Sequence, residues 1–318
     1  MHDESLHQPH DKLFKAGFSD PTNAAAFLRG EISPAISTRI DWDQLQLCPG
    51  SFVDSHYRHS ESDLLFAAPL LETECFIYLL FEHQTTAEPT LALRLLRYMV
   101  RIWENHLKLH PSATTLPVIL PVVLAQNAEI WKLSPHFQAL FDLPQKLAEE
   151  IRPYLPDFNF RLIQLASLPF EAICGTPAGI MILRAMKAER VAALLADPVW
   201  DEALLVQIPR ETLELLLRYI LNADIDKAKF DLRVNSIQAS ETKTTAMTLA
   251  QQIRQEGRQE GRQEGRQEAI LENLQLRLGS IPLGLRDAIA AIQDDKILHR
   301  LHRASIQAVS FEEFSTSL

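Results

Sequence analysis

The residues best suited to chemistry lie in one short stretch, "SESDLLFAAPLLETECFIYLLFEHQ", residues 60–84. It holds two apolar runs fit for a protein core. Asp63 opens the first, and Glu82, His83 and Gln84 close the second. Side chains alternate along a strand, so Glu82 and Gln84 project from one face and His83 from the other. Antiparallel pairing of the two runs would set the start of the first beside the end of the second, bringing Asp63 close to Glu82. Two carboxylates at one sheet end repel each other unless a cation sits between them or one is protonated. A hard divalent ion meets that need, because Mg²⁺ takes one or two carboxylates together with waters and substrate phosphate oxygens. Such an ion activates water and stabilises charge on a transferring phosphoryl group. The spacing by itself equally fits two solvated strand ends.

The elements that would position these residues follow from hydrophobic periodicity. "DKLFKAGFSD" predicts a short helix stopping near Gly17, and "DPTNAAAFLRG" a second one, capped by Asp20 or Thr22 and closed by Gly30. A Pro- and Gly-containing loop, "LCPGSFVD", leads into the two strands, with "APLLET" between them at about hairpin length. In "LALRLLRYMVRIWENHLKLH", Leu95, Met99 and Ile102 recur at helical spacing, which predicts a long amphipathic helix ended by Pro111. "LPVILPVVLAQ" and "FNFRLIQLA" read as further strands. This order predicts a compact α/β core. After about residue 170 the pattern becomes helical, in "AGIMILRAMKAERVAALLAD" and "ETLELLLRYILNA".

Residues 254–268, "RQEGRQEGRQEGRQE", are a four-residue repeat. Arg faces Arg and Glu faces Glu at i,i+4, so no favourable pair of opposite charges forms at that spacing. Gly257, Gly261 and Gly265 each cost about 1 kcal/mol in a helix interior. Alone, the segment is expected to be a flexible linker, and as a helix it needs an outside stabiliser, most naturally a second copy. The expected divisions are a core over 8–168, a helical extension over 169–250, the repeat linker over 251–268 and a small helical module over 269–318.

Composition limits the function classes. The chain has 318 residues and a net charge of −10. Residues 1–168 carry 13 Lys/Arg against 20 Asp/Glu, and residues 169–318 carry 18 against 21. Bulk electrostatics therefore do not attract nucleic acid, and any phosphate contact needs a local basic stripe or a bound cation. The densest stripe is Arg94, Arg97, Arg101 and Lys108, on one face of the helix that follows Gln84. Arg94, Arg97 and Arg101 are the candidate nucleic-acid contacts, although a charged face on such a helix is commonly just solvated. Three separated cysteines form neither a disulfide framework nor a metal-type pair. The apolar runs are too short to cross a bilayer and the N-terminus lacks a signal-peptide pattern, so a cytoplasmic protein without a membrane anchor is expected. The His pairs at 56/59, 106/110 and 299/302 lack a third ligand at metal spacing. Neither a P-loop nor a GxGxxG or GxSxG motif occurs.

The stretches "HDKLFKAGFSDP", "SFVDSHYRHSESDLLF", "YLLFEHQ", "LALRLLRYMVRIWENHLK" and "LPVILPVVL" with Trp131, followed by a Gly-rich charged tail, resemble the bacterial recombination-promoting nuclease / putative transposase family. That family is similar to the PD-(D/E)XK nucleases. The resemblance implies a restriction-endonuclease-like αβββαβ core followed by a helical C-terminal region. It also implies an endonuclease dependent on Mg²⁺ or Mn²⁺ that hydrolyses DNA phosphodiester bonds in recombination or defence. The motif Asp is then Asp63 and the Glu of the E-x-K signature is Glu82, with the His83 backbone carbonyl as a further metal ligand. Gln84 stands where the wider superfamily usually has Lys. A neutral amide can only hydrogen-bond the attacking water, which makes the ion indispensable. Asp11, beside the first helix, is a secondary metal ligand or simply a helix cap. A dimer through the C-terminal region would suit double-strand cutting. A nuclease fold that only binds DNA or protein, or a nuclease acting on RNA, also fits. Transposition would require strand transfer, and the sequence shows no helix-turn-helix for end recognition.

Overall fold

The computed structural model describes residues 9–48, 64–71, 73–82 and 87–318, giving the backbone alone for Glu74, residues 78–82 and Glu260. The chain forms two compact units, Met1–Ala246 and Met247–Leu318.

The first unit opens with α1 (Pro9–Phe18), α2 (Pro21–Glu31) and a turn of helix, α3 (Pro34–Ser37). Asp20 caps α2 by accepting a hydrogen bond from the Thr22 amide at 2.8 Å, as its position before a Pro-Thr start predicts. A five-stranded sheet follows, with β1 (Gln46–Leu47), β2 (Leu64–Leu70), β3 (Thr73–Glu82), β4 (Val118–Ala125) and β5 (Arg161–Gln164) in sequence order across it. The β1–β2 and β2–β3 pairs are antiparallel, whereas β3–β4 and β4–β5 are parallel. The expected hairpin is present but tighter than its sequence suggests. Leu70 pairs with Thr73, so the turn is two residues rather than the whole of "APLLET". Leu71 takes a left-handed φ of 55° there, as one-step hairpin turns demand. The short β1 was read from sequence as loop, since its two residues show no alternation.

α4 (Leu91–Leu109) is the crossover that makes β3 and β4 parallel. Its apolar stripe of Leu91, Leu95, Met99 and Ile102 is buried against Leu65, Phe76, Ile119 and Val123 of the sheet, and Tyr98 belongs to the same core. Pro121 interrupts β4 just before Val122, where β5 pairing begins, so at that point β4 has a strand partner on one side only. Between β4 and β5 the chain makes a long excursion that includes α5 (Ala148–Ile151) and sends Trp131 and Phe137 into the α4 core.

The remaining helices of this unit are α6 (Pro177–Arg190), α7 (Glu202–Leu205), α8 (Arg210–Asn222) and α9 (Lys227–Ser236). α6 and α8 pack on α1, so α1 is held by residues far along the chain. Gly17 permits this approach, because a Cβ there would collide with the Ile182 side chain of α6.

α10 (Ser240–Leu278) runs unbroken through the Arg-Gln-Glu-Gly repeat, which the local terms predict to be a flexible linker. Residues outside the repeat account for the difference. Gln263 donates to the Ile292 carbonyl, and Gln267 donates to those of Ala290 and Ile292, at 2.9–3.2 Å. Arg266 pairs with Asp295. These side chains occupy orphan carbonyls at the end of α11 (Leu283–Ala290). The apolar core of this unit joins Ile270 and Leu274 to Leu285, Ile289, Leu298, Leu301 and Phe314, from α11, α12 (Asp295–Gln307) and α13 (Phe311–Ser315). The three repeat glycines meet nothing and contribute only their helix cost.

Candidate functional site

Parallel strands bring their carboxyl ends to one side of the sheet, which is where open α/β sheets place ligands. Here Glu82, Ala125 and Gln164 form one register row across β3, β4 and β5. Each is the last residue of its strand, so the proposed acid Glu82 closes the edge at which all three strands end.

Two polar residues follow directly on Ala125, and both are buried. Gln126 is 0% exposed and Asn127 is 2% exposed. The Gln126 amide nitrogen donates to the Met186 carbonyl of α6 at 2.8 Å and to the Tyr219 hydroxyl of α8 at 3.2 Å. His10 of α1 lies 3.3 Å from the same nitrogen, and its Nδ1 shares a 2.7 Å hydrogen bond with the Tyr219 hydroxyl. The Gln126 carbonyl accepts from Arg190 Nε at 3.1 Å, and Arg190 pairs with Glu189 at 3.5 Å. One side chain at the end of β4 thus ties together α1, α6 and α8.

Burial, and then the nearby negative charge of Glu189, push the Tyr219 hydroxyl above the ordinary phenol range. The folded state therefore favours the protonated phenol. Its contribution to stability is complete below the unfolded pKa near 10 and is lost as pH rises beyond that. Tyr219→Phe is expected to cost about 1–2 kcal/mol at neutral pH, because Gln126 and His10 each lose a partner. The variant should also flatten the fall in melting temperature above about pH 10. Parallel melting curves of both proteins from neutral to strongly alkaline pH check this, and equal alkaline slopes would overturn it.

Asn127 is held differently. Its amide nitrogen donates to Gln164 Oε1 at 2.9 Å and to the Glu129 carbonyl. Gln164 Oε1 also accepts from the Trp131 amide at 2.6 Å, while Gln164 Nε2 donates to the Trp131 carbonyl at 3.3 Å. Gln164 therefore clamps the chain leaving β4 by a side chain standing in the same row as Glu82.

Of the residues expected at the site, Asp63, His83 and Gln84 lie outside the described residues, and Glu82 is placed by its backbone. Asp63 immediately precedes Leu64, which pairs with Leu79, three residues before Glu82. Asp11 is buried at 2% exposure in the first turn of α1, where a carboxylate meets the positive end of the helix dipole. It is the neighbour of His10 and so stands by the end of β4. Among the described residues no group of three or more His, Cys, Asp or Glu side chains could hold a metal ion.

The basic stripe of α4 is divided. The Arg94 side chain is only 19% exposed and pairs with Glu88 at 2.9 Å. Arg101 is exposed and pairs with Glu104 at 3.2 Å. Arg97 is exposed. Sequence reasoning missed Gln126, Asn127, Gln164 and Tyr219. The only local signal was a pair of amides directly after an apolar strand. No described helix is long and apolar enough to cross a membrane.

No solved structure matches the chain. It is 31% identical over 165 residues to recombination-promoting nuclease RpnA of Escherichia coli K12, which is 52% of this chain and 54% of that protein. It is 28% identical to recombination-promoting nuclease RpnD of Escherichia coli O157:H7, over 52% of this chain and 62% of the relative. It is 26% identical to the inactive recombination-promoting nuclease-like protein RpnE of Escherichia coli K12, over 54% of this chain and 56% of the relative. The matched stretch thus spans little more than half the length of each of these relatives. A family model described as putative transposase, YhgA-like, matches residues 8–203, most of the chain, and to that family the chain belongs.

Proposed function

We propose that this chain is a divalent-metal-dependent endonuclease that hydrolyses DNA phosphodiester bonds in the cytoplasm, in recombination or defence. The observation that carries the reading is the place of Glu82, at the shared carboxyl edge of three parallel strands, in a chain similar to proteins named recombination-promoting nucleases. The element order supports a restriction-endonuclease-like core, since helices, β1, β2, β3, α4 and β4 spell αβββαβ.

The donor set fits a hard cation. Asp63, Glu82 and the His83 carbonyl offer only oxygen, the chemistry of Mg²⁺ or Mn²⁺ sites, with Asp11 as a further carboxylate. When bound, such a cation supplies Lewis-acid activation of water and charge stabilisation at phosphorus. Gln84 orients the attacking water through its neutral amide and neither takes nor gives a proton. Arg97 and Arg101 contact backbone phosphates, while Arg94, already paired with Glu88, steadies the start of α4. Hydrolysis rather than strand transfer is the reaction.

The test is relaxation of supercoiled plasmid by the full chain with Mg²⁺, repeated with excess chelator and then with Mn²⁺ restored. Nicking that stops on chelation and resumes on restoration is the expected result. Cleavage indifferent to the chelator would overturn metal dependence. The similarity to a relative named inactive favours a second reading, a nuclease fold that only binds DNA or protein. Binding of the same plasmid without cleavage in any metal would select it. Cleavage of RNA in preference to DNA would instead reassign the substrate.

Two copies joined through the second unit would provide one site per strand. The mass measured by light scattering is expected to be that of a dimer for the full chain and of a monomer without residues 250–318. Monomer mass in both would remove the C-terminal pairing.

A further inference from the structure

The clamp formed by Gln164 leaves one atom unexplained. The Asn127 amide nitrogen is used twice, yet its Oδ1 is buried without a hydrogen-bond partner among the described residues. Folded proteins rarely leave such an acceptor empty, since a buried polar atom without a partner costs about 1–3 kcal/mol. The amide cannot turn over to relieve it, because that would set oxygen against Gln164 Oε1, which already accepts from the Trp131 amide. Asn127 is therefore held with its oxygen presented and its nitrogen anchored. It lies two residues beyond Ala125, the register neighbour of Glu82, and its anchor Gln164 stands in that same row.

An acceptor closed off from bulk solvent takes its donor from within the site. We propose that Asn127 is a positioning residue of the metal centre, its Oδ1 accepting a hydrogen bond from the hydration shell of the divalent cation that Glu82 holds. This rests on the metal-dependent reading above. A neutral amide oxygen suits the place, since it orients a water without adding a further negative charge beside the carboxylates. Gln164 then acts at one remove, keeping Asn127 in the presenting rotamer.

The test reads cation binding directly. Mn²⁺ is titrated into the full chain by calorimetry, without nucleic acid, for wild type, Asn127→Ala, Asn127→Asp and Glu82→Ala. Asn127→Ala is expected to weaken Mn²⁺ binding about tenfold, the lower end of the range for outer-shell partners. Asn127→Asp keeps the acceptor and adds charge, so it should bind Mn²⁺ at least as tightly as wild type, whereas a residue serving only to hold the loop would make both variants equally weak or leave both unchanged. Thermal melts without metal show whether each variant is folded. If Asn127→Asp is unfolded, Gln164→Ala takes its place, with weakened Mn²⁺ binding expected. Loss of binding in Glu82→Ala with wild-type affinity in the Asn127 variants overturns this inference and leaves the metal reading standing. Wild-type affinity in Glu82→Ala, or absence of Mn²⁺ binding by the wild type, overturns both.

Discussion

Glu82→Ala and Asp63→Ala are each expected to reduce Mg²⁺-dependent plasmid cleavage by on the order of 10³-fold, since each removes electrostatic stabilisation aimed at the reacting phosphate. The double variant should fall little further. Groups that hold one ion act as a unit, so losing either forfeits most of what the pair supplies. Gln84→Ala should fall between wild type and these variants, because a water can still be oriented by its other neighbours. Neither strand-end acid contributes a described core contact, so melting temperatures should stay near wild type. Plasmid nicking rates over a range of Mg²⁺ concentration, on preparations matched in melting temperature, check the prediction. Undiminished cleavage by the double variant would remove the site assignment, whatever the source of the activity.

The second large effect is structural. Phe14 is fully buried on α1 and stacks on Phe18 with ring centroids 5.1 Å apart. α1 also carries His10 and Asp11 to the end of β4 and is packed under α6 and α8. Phe14→Ala is expected to cost about 3–5 kcal/mol, the range for emptying an aromatic core position. That is a large share of the 5–15 kcal/mol typical of a folded domain. Urea unfolding should show a lower midpoint with little change of slope. Because α1 is seated by this ring, cleavage activity should fall at temperatures below the new melting point as well. A stability loss under about 1 kcal/mol would show that α1 is not held by this contact.

Several features were legible from local pattern. β2 and β3 alternate and end in polar residues, and their antiparallel pairing follows from a connection too short for anything else. The 3.6-residue stripe of α4 gives both the helix and its buried face. The Asp20 cap of α2 needs only its neighbours. The acids at the strand ends were visible for the same reason: a charge that ends a core-grade apolar run is a local anomaly.

What escaped the sequence depends on residues far apart. "VILPVVLA" is apolar throughout, so it carries no parity from which to read that Glu82, Ala125 and Gln164 share a row. Gln126 and Asn127 look like the start of a loop until Tyr219 and Gln164, 93 and 37 residues away, bury and bind them. Residues 177–222 read as a separate helical extension, yet α6 and α8 form the bed of α1. The repeat is the sharpest case. Like charges at i,i+4 and three glycines argue locally against helix, and carbonyls at 290 and 292 with an apolar core at Ile270 and Leu274 outweigh them. The sequence by itself determined which segments become strands and helices and where the candidate carboxylates fall, because propensity and periodicity act between neighbours. The tertiary structure alone decided which strand ends meet, which amides stand behind them and what keeps the repeat helical, because those rest on burial and hydrogen bonding between segments the chain does not bring together until it folds.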